Sequence, residues 1–233
     1  MEIDEVLLNS ALTGLASLRF YQWDQPTVSL GHFQAKQALE VPLRFSGLPI
    51  VRRLSGGGAI LHDQELTYSC ALPAAHPICR DPGKLYDVIH AALIAVLTQF
   101  QVHCRVRGED AFADQSFLCF SRGDARDIVI GRQKIVGSAQ RRRQGAILQH
   151  GSILLRQSRF APEFPGIREL TNVDLAAEAL VAPLTAEITS RLELTAMITQ
   201  SLSEKVLCQA KLGDLCSDKE SGAGESSGFV DAG

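Results

Sequence analysis

The chain has 233 residues, 45% of them apolar and 21% charged, with a net charge of −3. That composition suits one globular domain with a sizeable core; it excludes a wholly disordered chain and gives no electrostatic ground for a nucleic-acid binder. No apolar run approaches the ~18–20 residues that a membrane span needs.

The charge is uneven. Residues 1–104 carry seven basic against nine acidic residues, 105–145 nine against five, and 146–233 seven against twelve. The basic middle is either a solvated face or a surface that steers an acidic partner. The six cysteines, Cys70, Cys79, Cys104, Cys119, Cys208 and Cys216, show no CxxC spacing. With no signal peptide at Met1 they read as reduced thiols of a cytoplasmic protein.

In chain order, Ile3, Val6, Leu7 and Ala11 fall near helical spacing, with Asp4 and Glu5 in the first turn, predicting a helix over 3–12. Strands are predicted over 18–23, 27–31 and 62–72. Asp81-Pro82-Gly83 is turn chemistry that introduces the clearest helix, where Leu85, Ile89, Ala92, Leu93, Val96 and Phe100 form one stripe. Residues 102–106 read as a strand, 128–136 as a hairpin turning near Gly131, and 145–155 as a strand. Pro162 and Pro165 punctuate a loop, and helices follow over 175–180 and 194–207. The last residues, 217–233, are rich in Gly, Ser and acidic side chains and predict a disordered tail. Strands separated by helices around a hairpin-rich middle argue an α+β (or mixed α/β) domain over 1–216, with 175–216 as a small helical end.

Arg52-Arg53-Leu54-Ser55-Gly56-Gly57-Gly58-Ala59-Ile60-Leu61-His62-Asp63 is the most informative stretch. Three consecutive glycines cost backbone entropy unless something must approach that backbone closely. Exposed N–H groups there can hold a carbonyl or phosphate oxygen, with Arg52 or Arg53 supplying charge. A flexible loop with incidental arginines is the plainer reading of a bare triple glycine, and no Walker A or GxGxxG pattern is present.

Lys134-Ile135-Val136-Gly137-Ser138-Ala139-Gln140 follows the predicted hairpin, and His150-Gly151-Ser152 comes ten residues further on. A lysine after a tight turn is usually a solvated charge. Here the small residues Gly137, Ser138 and Ala139 leave room for a ligand, and a fixed ammonium beside an acyl carbonyl would stabilise a developing oxyanion. On that reading, replacing Lys134 by alanine cuts turnover and leaves the fold intact. His150 is either a ligand-facing or a satisfied core histidine.

Together these elements resemble the lipoate-protein ligase and octanoyltransferase family, which shares its fold with biotin-protein ligases. The resemblance rests on Arg-Arg, Gly-Gly-Gly and His-Asp within residues 52–63, on Lys-x-x-Gly-Ser-Ala-Gln at 134–140, and on His-Gly-Ser at 150–152. Residues 1–8 and the Ser-Leu-Gly of Ser29, Leu30 and Gly31 look like the family's early segments. The resemblance implies a biotin/lipoate-protein-ligase-like catalytic domain with mixed or antiparallel sheets flanked by helices. It implies an acyl site lined by Arg52, Gly56, Gly57, Gly58, His62, Gly137, Ser138, Ala139, His150 and Gly151, with Lys134 acting on the carbonyl.

Two chemistries occur in that family. A ligase activates free lipoate with ATP and Mg; a transferase needs neither and passes octanoate from an acyl carrier protein through its own cysteine thioester. Either acceptor would be a lysine of a lipoyl domain, on a glycine cleavage H protein or a 2-oxoacid dehydrogenase E2. Cys119, in Leu118-Cys119-Phe120-Ser121, resembles the Ala-Cys-Phe of the cysteine-dependent octanoyltransferases and of amidotransferases that move octanoate between lipoyl domains. Arg122, Arg126 and Lys134 are close enough in sequence to favour its thiolate. Arg126-Asp127 is a partial echo of the Arg-Asn-Asp found in ligases. The sequence favours the thioester route, with the ligase, the amidotransferase and a non-catalytic acyl-binding module as alternatives, and with no role for nucleic acid or membrane.

Overall fold

The computed structural model describes residues 2–34, 41–110 and 117–194. Cys208, Cys216, nearly all of the expected helix over 194–207 and the expected tail over 217–233 lie outside them.

Strands β1 (Ser17–Tyr21), β5 (Glu65–Leu72), β9 (Ala146–Leu154), β8 (Gln133–Arg143), β7 (Ile128–Ile130) and β6 (Arg105–Val106) form one antiparallel sheet in that spatial order. A smaller sheet holds β2 (Thr27–Leu30) between β3 (Ile50–Arg52), which runs parallel to it, and β4 (Ile60–His62), which runs antiparallel.

The period-2 alternation of a strand decides what each face meets. Along β5, Leu66, Tyr68, Cys70 and Leu72 enter the main core, where α2 (Pro82–Gln99) presents the predicted stripe of Leu85, Ile89, Leu93 and Val96. The intervening Ser69 and Ala71 turn to the other face, where Ala71 packs with Leu8 and Ala11 of α1 (Glu2–Leu12). Helix α4 (Ala177–Arg191) adds Leu180, Leu184 and Ile188 to the α2 side. Pro183 stands inside α4 and costs ~3 kcal/mol of helix. Burying three large side chains, at ~1.5–3 kcal/mol each, outweighs that cost.

The expected single strand over 62–72 is two strands with a turn between them. His62 pairs with Thr27 in the small sheet, whereas Glu65 pairs with Leu154 in the large one. The chain changes sheets at Asp63-Gln64, where Gln64 takes φ +53. The expected strand over 102–106 shrinks to two paired residues, because β7 offers partners only to Arg105 and Val106. The edge strand β3 and the short helix α3 (Ile167–Thr171), which follows the Pro162–Pro165 loop, lacked a periodic signal long enough to read. Helix α4 extends well past the predicted end at 180. Among the described residues, no helix is long and apolar enough to cross a membrane.

Candidate active site

A cavity of about 490 Å3 opens where the glycine-rich loop, the Cys119 segment and the middle of the large sheet meet. Its lining takes in Gly56 and Gly57, Cys119, Lys134, Gly137, Ser138, Ala139, His62, His150 and Gly151. Residues separated by up to 99 positions in sequence, from Arg53 to Ser152, thus face one space. The volume falls within the ~300–1,000 Å3 usual for small-molecule sites.

The loop is built around Arg53, which is 2% exposed. Its Nη1 donates to the Ser29 carbonyl at 2.9 Å, and its Nη2 donates to the carbonyls of Gly56 (2.9 Å) and Gly58 (2.5 Å). Burial lowers the guanidinium to about 10, so it keeps its charge at neutral pH, with the Cys119 thiolate acting to raise it and Arg122 to lower it. Gly57 takes φ +95, and a Cβ there would lie 3.1 Å from Arg53 Nη2 and 3.9 Å from Cys119 Sγ. Only a glycine turns the backbone this way without strain and leaves the thiol open.

Here the structure corrects the expectation for Arg52: it is exposed at the end of β3 and does not line the cavity. Its neighbour Arg53 is the member of the pair that lines the cavity and holds the loop. Successive side chains on an extended segment point opposite ways, so only one of two adjacent arginines can reach inward. Gly58 is likewise buried behind the loop, where Arg122 packs against it, rather than in the cavity wall.

Cys119 begins a short 3-10 turn, Cys119–Ser121. Its backbone N–H donates to the Ala59 carbonyl at 2.7 Å, while the Ala59 N–H donates to Phe117 at 3.0 Å. These bonds tie the thiol to the residue that follows the glycines. Burial pushes the other described cysteine thiols up, Cys70 to about 12 and Cys104 to about 11, with Cys79 raised as well. That makes them poor nucleophiles. Among the described cysteines, Cys119 is the one that lines the cavity.

Lys134 is 7% exposed, not a solvated hairpin charge. A β-bulge between Ile128 and Val129 shifts the β7–β8 register and re-aims the side chains beside it. The Lys134 ammonium lies 2.8 Å from Asp127 Oδ1 and 5.0 Å over the Phe120 ring. Burial pushes the Asp127 carboxyl up, against the pull of Lys134 and Arg107. Gly137 makes this possible: a Cβ there would sit 2.6 Å from Lys134 Cε.

Three histidines brace the walls. His62 Nδ1 bonds Glu65 and its Nε2 bonds Ser29, both at 2.7 Å, while its ring stacks on Trp23 at 4.2 Å. His150 links Ser55 of the loop to Asp4 of α1. Burial pulls Asp4 upward, but the bonds and charge of His150 and the Ser69 bond hold it below the usual carboxylate range. His90, on α2, bonds the Ser138 hydroxyl at 2.7 Å and is lowered to about 4 by burial. Tyr68 holds the same hydroxyl. Ser138 therefore anchors β8 to α2 with its side chain.

Asp127 and His90 were not singled out from the sequence, and Arg53 was offered there only as the alternative to Arg52. A signal existed for two of them: Arg53 belongs to the arginine pair, and Asp127 to the partial Arg-Asn-Asp echo. His90 looked like any polar interruption of a helix stripe. Four of the basic residues over 105–145 are held in ion pairs. Lys134 and Arg107 share Asp127, Arg105 pairs with Asp110, and Arg143 with Glu5.

Residues 1–173 match the Lipoyl protein ligase A/B catalytic domain. The chain belongs to this family. Among its curated relatives, octanoyltransferase LipM of Macrococcus caseolyticus (strain JCSC5402) is 38% identical over 167 residues, covering 66% of this chain and 60% of that protein. Octanoyltransferase LipM of Kyrpidia tusciae (strain DSM 2912 / NBRC 15312 / T2) is 38% identical over 168 residues, covering 66% and 61%. The chain thus spans about 60% of the length of these relatives. Protein Ta0514 of T. acidophilum with bound lipoic acid shares the fold of this family member at TM-score 0.72 and 22% identity, covering 95% of this chain and 90% of that one. Lipoate-protein ligase A bound with ATP does so at TM-score 0.70 and 21% identity, covering 91% and 86%.

Proposed function

We propose that this lipoyl protein ligase family member transfers an octanoyl group from an acyl-carrier thioester, through a thioester on Cys119, to a lysine ε-amine of a lipoyl domain. The observation that carries the reading is the meeting of the Cys119 thiol, the Lys134 ammonium and the glycine-loop backbone around one cavity. Identity to the LipM octanoyltransferases supports the choice of acyl group and of transfer over ligation.

The thiolate of Cys119 attacks the donor carbonyl carbon, and negative charge moves to the carbonyl oxygen. The Lys134 ammonium donates a hydrogen bond to that oxyanion. The Gly57 N–H is a second donor: the planar trans peptide turns it away from Arg53 when the Gly56 carbonyl points at the guanidinium. Collapse breaks the carrier C–S bond; the carrier leaves as a thiolate and takes up a proton. In the second half a neutral lysine amine attacks the acyl-cysteine, the Cys119 C–S bond breaks, and the amine's proton is released as the amide forms. The donor arrives already activated as a thioester, so this route draws on no ATP, magnesium or other cofactor.

Incubation with octanoyl-carrier protein and no ATP is expected to add the mass of one octanoyl group to the protein, mapped by peptide mass to Cys119. A lipoyl domain added next should discharge it and gain the same mass. If no adduct forms and the lipoyl domain is modified only when ATP and lipoate or octanoate are supplied, the transfer reading fails in favour of a ligase.

A second expectation concerns Gly137. Alanine there presses on Lys134, whose ammonium is already pinned by Asp127, so the lysine must shift. Overpacking of this kind costs about 1–3 kcal/mol. Turnover should fall about tenfold or more while thermal unfolding reveals only that modest loss. Wild-type turnover in the alanine variant would mean that the lysine's position does not matter to the chemistry.

A further inference from the structure

The walls of the cavity are unevenly polar. Around Lys134 and the glycine loop they carry Arg53, Arg122, Asp124 and Asp127, none of which suits a hydrocarbon tail. Apolar side chains come from Ile60, Phe120 and Ala139. Phe120 follows Cys119 directly, so an acyl chain held on the thiol starts beside its ring.

Phe120 also has a second exposure. On its far side lies a small, mainly apolar void of about 20 Å3, walled by Leu61, Leu118, Leu154, Ala161 and Phe164, with Asp63, Ser158 and Arg156, whose polar groups are paired, completing the lining. Phe120 is the one apolar side chain that lines both spaces. The ring is fixed from two directions, by the Lys134 ammonium 5.0 Å above it and by the Phe164 ring at 6.3 Å. It is 8% exposed. A tail growing away from Cys119 along this wall meets the Phe120 ring before it meets the apolar pocket behind.

We infer that Phe120 is the floor of the acyl site and sets the chain length accepted there, an inference that rests on the acyl-transfer reading above. Truncating the ring joins the 490 Å3 cavity to the apolar void and adds the volume of the lost ring. Each methylene that can then be buried favours the longer chain about fourfold. Accommodating two of the four methylenes by which dodecanoyl exceeds octanoyl shifts the preference by at least about tenfold.

The test compares wild type, Phe120→Leu and Phe120→Ala, each offered octanoyl-, decanoyl- and dodecanoyl-carrier thioesters, with acylation of Cys119 read by intact mass. The leucine variant guards against loss of folding in the alanine variant. Wild type is expected to load octanoyl preferentially, and the dodecanoyl-to-octanoyl ratio should rise about tenfold or more in Phe120→Ala, with Phe120→Leu between. Binding of free octanoate and dodecanoate is measured alongside by calorimetry. If no protein forms an adduct but the Phe120 variants still shift binding toward dodecanoate, the transfer reading falls and the role of Phe120 stands. Folded variants that show wild-type preference in both assays overturn the inference.

Discussion

Replacing Cys119 by serine is expected to reduce acyl transfer by at least about 10³-fold, in line with losses seen when a nucleophile is removed. The substitution changes one atom at a half-buried position whose backbone is held by Ala59, so the fold should survive intact. Its effect is chemical. A thiol yields its proton far more readily than a hydroxyl, and the thiolate is the attacking species. Arg53 stays beside the serine, whereas His62, His90 and His150 are engaged elsewhere, with Ser29, Glu65, Ser138, Ser55, Asp4, Tyr86 and Trp23. The measurement is single-turnover transfer to a lipoyl domain beside the intact-mass assay for the adduct. Full activity in the serine variant would remove covalent catalysis at this position altogether.

The second large effect is expected at Lys134. Methionine there keeps most of the side-chain volume and removes the ammonium, and loss of an oxyanion donor costs about 10²–10³-fold in kcat. Stability should fall too, contrary to the sequence expectation of an intact fold. The change leaves the buried Asp127 carboxylate with Arg107, whose Nε lies 3.6 Å away, as its remaining ion-pair partner, beside the hydrogen bond from the Asp124 N–H at 2.9 Å. Breaking a buried pair costs ~3–5 kcal/mol, and the remaining arginine keeps the loss below that range.

The pH dependence of the loss has a definite sign. Burial already raises the Asp127 carboxyl in the folded protein. Without the lysine it rises further, so the folded variant holds a proton that the unfolded chain gives up. The penalty is therefore absent below the unfolded carboxylate pKa and grows as pH climbs from there through the raised folded value. Adding Asp127→Asn should restore stability at neutral pH while leaving turnover low. Should the double variant recover both, Lys134 serves packing alone and its assignment to the oxyanion is wrong.

The amino-acid sequence by itself determined the kind of domain and the parts of the site. Helix α2 was legible because six apolar residues at helical spacing follow Asp-Pro-Gly, and those signals are local. The triple glycine, the lysine with its small neighbours and the Cys-Phe pair were legible for a related reason: each carries an unusual requirement within a few residues. Their fixed order then pointed to the family that residues 1–173 match.

Only the tertiary structure decided which of two adjacent arginines holds the loop, because that depends on the pairing of β3 with β2. It decided that Lys134 is buried against Asp127, because one extra residue in β8, Ile135, shifts the register there. It also turned one expected strand into two, at the point where the chain leaves one sheet for the other. Local pattern fixes which residues can form an element. Partners far apart in the chain are chosen by register, and a slip of one residue reverses the side every following side chain faces.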